Sequence, residues 1–127
     1  MGRLQLQDAV RFVGMVSDRI RDAYYGESDC LWIASRAELQ CCAALEAMAA
    51  GCPVVAARAG ALPETVPDGI AGRLFTPGNP NEIVEIMKGL CRQPERRRLS
   101  DGARTVALKH GIARVCSDTL EIYRACV

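Results

Sequence analysis

Between Ala47 and Ala57 the chain runs eleven residues without a charge, and Gly51 and Pro53 cut that run in two. No other feature constrains the fold as tightly. Before the cut, residues 41 to 50 are rich in Ala, Leu and Met, all strong helix formers. Gly51 is placed to end that helix, and Pro53 stands just beyond it. After the cut, Pro53-Val-Val-Ala-Ala57 is apolar at every position, the character of a strand buried on both faces. Such a strand needs a layer on each side, so the chain has to supply helices to cover a sheet.

The remaining segments fit that demand. Val10-Arg-Phe-Val-Gly14 and Asp29-Cys-Leu-Trp-Ile-Ala34 read as strands. Ser17 to Tyr25 reads as a helix with Ser17 as cap and Ile20, Ala23 and Tyr24 on one face. Arg58 to Pro80 is rich in Gly and Pro and reads as loop, with one short strand at Arg73-Leu-Phe-Thr76. Asn79-Pro80-Asn81-Glu82 has the form of a helix start, and Ile83, Ile86, Met87 and Leu90 follow at helical spacing. Pro94 opens a further helix with Leu99, Ala103, Val106 and Ala107 as its apolar stripe, and Ile112 to Tyr123 forms a last one. Strands alternating with helices predict an α/β fold: a partial Rossmann-like parallel sheet with flanking helices.

At 127 residues the chain is long enough for one domain with a core. A net charge of +1 gives no field suited to nucleic acid or an anionic membrane. The N-terminus lacks the apolar core of a signal peptide, and eleven apolar residues are too few to span a bilayer. A cytoplasmic location is expected. There are seven cysteines, at 30, 41, 42, 52, 91, 116 and 126, with no Cys-x-x-Cys and one histidine, His110. That spacing suits neither a zinc site nor a redox pair, so the cysteines are read as small apolar side chains and no metal is expected. Trp32 reads as packing, the run Arg96-Arg-Arg98 as a solvated face, and His110 as a residue at a helix C-terminus.

The chemistry lies in Glu38-Leu-Gln-Cys-Cys-Ala-Ala-Leu-Glu46, two carboxylates eight positions apart at the start of the apolar helix. A helix apolar on every other side is expected to be buried, and a buried carboxylate needs a partner. That partner is either an Arg or Lys of the protein or a ligand offering two adjacent hydroxyls. The free amides near Gln40 to Ala43, with the helix dipole, form an anion site suited to phosphate. In a parallel sheet such a loop sits where ligands bind, at the carboxyl end of a strand. On spacing alone, a surface Glu38 and an ion-paired Glu46 explain the same residues.

The wider order does more. Val10-Arg-Phe-Val-Gly14, Ser35-Arg-Ala-Glu38, Leu45-Glu46-Ala-Met-Ala-Ala-Gly-Cys-Pro-Val-Val-Ala56, Gly60-Ala-Leu-Pro-Glu64 and Gly72-Arg-Leu-Phe-Thr-Pro-Gly78 follow in sequence. This order resembles the C-terminal, donor-binding domain of the group 1 (family 4-like) retaining glycosyltransferases of GT-B fold, over roughly residues 9 to 123. The resemblance implies a domain at 9–127 after a short extension at 1–8, and transfer of a sugar from a nucleotide sugar to an acceptor with retention. It implies that Glu46 holds the donor ribose and that Glu38, the residue assigned to catalysis, lies by the transferred sugar. Leu39, Gln40, Cys41, Cys42 and Leu45 complete the donor-binding set. No cofactor is implied beyond the nucleotide-diphosphate sugar itself, which is the donor substrate.

The sequence departs from that pattern in two ways. The loop between the glutamates usually carries glycines and here reads Leu39-Gln40-Cys41-Cys42-Ala43. The strand, glycine loop and basic pair that neutralise the diphosphate in the family have no match before Val10. We therefore expect a chain truncated at its N-terminus, working with a missing N-terminal domain or a partner chain. In a full-length enzyme that absent part could also carry a peripheral membrane contact. The alternative reading is a non-catalytic fragment or partner subunit, inactive alone. An isomerase of the same fold and a dinucleotide oxidoreductase rank lower, for want of acid–base residues and of Gly-x-Gly-x-x-Gly.

Overall fold

The strand that the apolar run demands is the centre of the molecule. In the computed structural model, which describes residues 4–126, β2 is Val54–Ala57, and every residue in it is inaccessible to solvent. Residues 1 to 3, the start of the expected 1–8 extension, and Val127 lie outside the described residues. Around β2 the chain folds in the order α1 (Asp18–Glu27), β1 (Leu31–Ile33), α2 (Cys42–Ala49), β2, α3 (Leu62–Thr65), β3 (Gly72–Phe75), α4 (Pro80–Leu90), α5 (Gln93–Leu108) and α6 (Ile112–Ala125). The sheet is parallel throughout, in the order β1-β2-β3, with Trp32 opposite Val55 and Val55 opposite Arg73. This is the α/β architecture the sequence predicts.

The helix-to-strand switch is built by a cap. Gly51 has φ +82°, and its N–H donates to Met48 O while the N–H of Cys52 donates to Ala47 O. This double bond pattern closes α2 and needs a left-handed residue, which glycine provides without strain. Two side chains of α5 reinforce the end: Ser100 Oγ donates to Gly51 O at 2.7 Å, and Arg104 Nη2 donates to Ala50 O at 3.3 Å. α2 thus lies against α5, and Met48 and Leu99 are both fully buried in the common core. At the start of α4, Asn79 Oδ1 accepts from the N–H of Glu82, and Glu82 Oε2 accepts from the N–H of Thr76. The Asn79 cap forms as its sequence predicts, while Glu82 reaches past the N–H of Asn79 to that of Thr76.

Several expectations are corrected. Val10 to Gly14 is not a strand, and Val10, Phe12 and Val13 are exposed. Among the described residues no strand lies outside β1 to receive its hydrogen bonds, and without a ladder β-propensity has nothing to act on. For the same reason β1 is an edge strand of only three residues, and Trp32 is 55% exposed rather than packed. Ser17 occupies the cap position of α1 but makes no side-chain capping bond. The short helix α3 lies inside the segment read as loop. Four cysteines, 42, 91, 116 and 126, are exposed; only Cys30, Cys41 and Cys52 belong to the interior, and burial pushes the Cys52 thiol up to about 11. Arg96-Arg-Arg98 is only partly a solvated face. Arg96 pairs with Asp29, and Arg98 Nη1 donates to Gly69 O at 2.6 Å, so the run ties α5 to two loops. α6 has no buried residue.

Candidate functional site

The loop from Ala34 to Cys41 leaves the carboxyl end of β1, and its neighbours leave the same ends of β2 and β3. The sheet being parallel, all three loops meet on one rim. Glu38 is fixed there by its backbone: its carbonyl accepts from the N–H of Ala61 at 2.9 Å. Gly60 makes the approach possible. It has φ +54°, and a Cβ there would lie 2.7 Å from Glu38 O, closer than a side chain tolerates. The Glu38 side chain has no hydrogen-bonded or ionic partner among the described residues, and the residue is half-buried. Leu39 is 97% exposed and Gln40 is also exposed.

Cys41 then turns the chain into α2. Its thiol side is buried, and its carbonyl accepts from the N–H groups of Ala44 at 3.0 Å and Leu45 at 3.3 Å. The amides of Cys42 and Ala43 make no hydrogen bond within the described residues. They are the orphan donors of a helix start, at its positive end. Cys42 is exposed, and Leu45 is partly buried and packs on the core.

Glu46 is not buried. Its side chain is 42% exposed, and that overturns the expectation drawn from its apolar neighbours. Ala44, Ala47 and Met48 face the interior, while Glu46 stands where α1 approaches the rim of α2. One carboxylate oxygen, Oε2, lies 3.5 Å from Arg21 Nε and 3.5 Å from the Tyr25 hydroxyl. An ion pair does exist, but it is long. Sequence reading passed over Arg21 and Tyr25 as partners of Glu46; it had Gly60 and Ala61 within a motif but not their backbone contact with Glu38. The four-residue spacing of Arg21 and Tyr25 was the available signal, since it puts both on one face of α1.

The site is a shelf rather than a pit. A concavity of about 560 Å³ lies between β3, α4 and the start of α5 and contains no residue from 38 to 46. Two of its arginines converge on one carboxylate: Arg58 Nη2 is 2.8 Å from Asp68 Oδ2, and Arg73 Nε is 3.6 Å from Asp68 Oδ1. Among the described residues no group of three or more His, Cys, Asp or Glu side chains is placed to hold a metal ion, and no helix is long and apolar enough to cross a membrane. The shelf itself offers two carboxylates, two free amides and an open approach.

Known proteins share this fold and much of this sequence. The family described as "Glycosyl transferases group 1" matches residues 2–93. The chain is 35% identical to the MMP alpha-(1->4)-mannosyltransferase of Mycolicibacterium hassiacum over 130 aligned positions, all of this chain and 32% of that protein. It is 31% identical to the D-inositol 3-phosphate glycosyltransferase of Streptomyces coelicolor, over 98% of this chain and 28% of that one. The chain therefore spans about a third of the length of the curated relatives it matches. Among solved structures, Anabaena HepE in complex with UDP-glucose superposes with a TM-score of 0.85 at 26% identity, covering 99% of this chain and 35% of that one. The sucrose-phosphate synthase of Thermosynechococcus elongatus gives 0.84 at 26% identity, over 99% and 33%.

Proposed function

Because the chain belongs to the group 1 glycosyl transferases, we propose that it carries the donor-binding part of an enzyme that moves a sugar from a nucleotide sugar to an acceptor with retention. In the transfer, the bond from the sugar C1 to the diphosphate breaks and its electron pair leaves with the nucleoside diphosphate. The acceptor hydroxyl oxygen bonds to C1 on the same face, and its proton ends on the diphosphate. Glu46 accepts the ribose hydroxyls, and the free amides of Cys42 and Ala43 meet the diphosphate. Glu38 meets hydroxyls of the transferred sugar and is the catalytic candidate. Leu39, Gln40 and Cys41 shape the sugar side, and Leu45 seats the helix. The reading asks for no resident cofactor; the nucleotide sugar is the substrate.

One observation carries this reading: Glu38, the unbonded amides and the half-exposed Glu46 lie on one unbroken run of chain at the carboxyl end of a parallel strand. HepE is described with UDP-glucose bound, which supports a nucleotide-sugar donor for this chain. The test is thermal stabilisation by UDP, GDP and ADP, beside a Glu46→Ala variant. A nucleotide at a hundred times its Kd adds about 2.7 kcal/mol to stability. One nucleotide should shift the wild type and not the variant. A folded wild type that responds to none of the three refutes the reading.

A second reading, a non-catalytic subunit that works only with a partner chain, is favoured by α6. Its Ile112, Ile122 and Tyr123 are each more than half exposed, an unusual apolar surface for a chain that works alone. Nucleotide binding without transfer to any sugar or lipid acceptor would favour it.

A further inference from the structure

Glu46 is held on one side only. Arg21 Nε and the Tyr25 hydroxyl both approach Oε2, each at 3.5 Å, and Oε1 has no partner among the described residues. Neither contact is short enough to satisfy a carboxylate, which accepts at about 2.7 to 2.9 Å from its best partners. The carboxylate is therefore oriented but still open to stronger donors. The two α1 residues are themselves anchored. Arg21 Nη1 lies 3.0 Å from Asp18 Oδ1, and its Nη2 and Nε lie 2.9 and 3.2 Å from Asp22 Oδ1. The Tyr25 ring packs against the core cluster.

Two further points separate orientation from simple attraction. Asp18 and Asp22 flank the guanidinium, so little of its charge is left to draw in an anionic nucleotide. The Tyr25 hydroxyl pKa is raised, first by burial and then by the charge of Glu46, so the group remains a proton donor at neutral pH.

We propose that Arg21 and Tyr25 are positioning residues that brace Glu46 Oε2, so that Oε1 and the open side of Oε2 accept the two vicinal hydroxyls of the donor ribose. This rests on the donor reading above. It adds that discrimination for ribose is set partly from α1, outside the run of chain that touches the ligand.

The test is the affinity ratio of UDP to 2′-deoxy-UDP, measured by calorimetry on the full chain, or the same pair for GDP or ADP if that base binds. Loss of a hydrogen bond to a carboxylate is worth about tenfold or more, so the wild type should prefer the ribonucleotide by at least that factor. Glu46→Gln should abolish most of the preference. Tyr25→Phe, which keeps the packed ring, and Arg21→Gln should each reduce it by about threefold while leaving deoxynucleotide affinity nearly unchanged. Full preference in both α1 variants, or equal weakening of both nucleotides, overturns the brace while the donor reading stands, provided Glu46→Gln still loses the preference. A wild type that binds no nucleotide overturns the donor reading and the brace together; one that binds ribo and deoxy forms alike overturns the brace, while the donor reading stands.

Discussion

At the residue scale the charged groups divide by how completely they are satisfied. Asp68 is at one extreme. Its Oδ1 accepts from the N–H of Leu74 at 3.1 Å and its Oδ2 from Arg58 at 2.8 Å. Partial burial alone would raise its carboxyl pKa. The Leu74 bond and the Arg58 guanidinium outweigh that, so the group sits below the usual carboxylate value. The sign of the pH effect follows. A depressed native pKa stabilises the fold above the ordinary carboxylate value of about 4, and the contribution is lost as pH falls below that through the native pKa. Asp68→Asn should therefore be less stable than wild type at pH 7, with the gap closing below about pH 4, in urea melts across that range. A gap that is unchanged at acid pH would refute the assignment. Because about a third of the side chain is exposed, added salt should also narrow it. Glu46 is at the other extreme, with one oxygen lightly braced and the other free. An incompletely satisfied carboxylate on a shelf suits ligand binding better than fold stability.

At the element scale, α2 and α5 together hold the site. α2 presents its free amides at one end and is closed at the other by Gly51, Ser100 and Arg104. α5 can lie close enough only because of its own glycine. A Cβ on Gly102 would stand 2.1 Å from Ile70 O. Helix propensity favours Gly102→Ala by about 1 kcal/mol. The backbone clash opposes it and should win, since relieving it means moving α5 away from the 67–71 turn, at a cost of about 1 to 3 kcal/mol by analogy with overpacked cores. Thermal melts should show net destabilisation, and a stabilised variant would show that α5 can shift freely. Cap signals in this chain were legible where the side chain makes the bond, as at Asn79. They failed at Ser17 and could not be foreseen at Cys41, where backbone geometry and not side-chain chemistry turns the chain.

At the scale of the whole molecule, burial is concentrated around β2 and falls away toward both ends of the described chain. Leu99, Met48 and Val55 are fully buried, whereas Phe12 and Met15 before α1 and every residue of α6 are exposed. Cooperative stability should reside in residues from α1 to α5. A chain ending at Gly111 should thus unfold within about 0.5 kcal/mol of the full chain, as surface changes usually do. A larger loss would mean that α6 packs on the core in solution.

The sequence by itself determined the central strand, the helix that precedes it, the Gly51 stop and the helices α4 and α5, because each is specified by local chemistry: an unbroken apolar run, a left-handed glycine, an Asn-Pro start, a stripe at helical spacing. It also marked Glu38 and Glu46 as the residues to explain. Only the tertiary structure decided what surrounds them. Whether Val10 to Gly14 becomes a strand depends on a neighbour to pair with, and whether Trp32 is covered depends on a layer beyond the sheet edge. Glu46 is exposed because the interior takes only one side of α2, and its partners come from α1, twenty-one and twenty-five residues earlier in the chain. A sequence states what each residue prefers; which preferences are met depends on the non-local surfaces that the fold brings together.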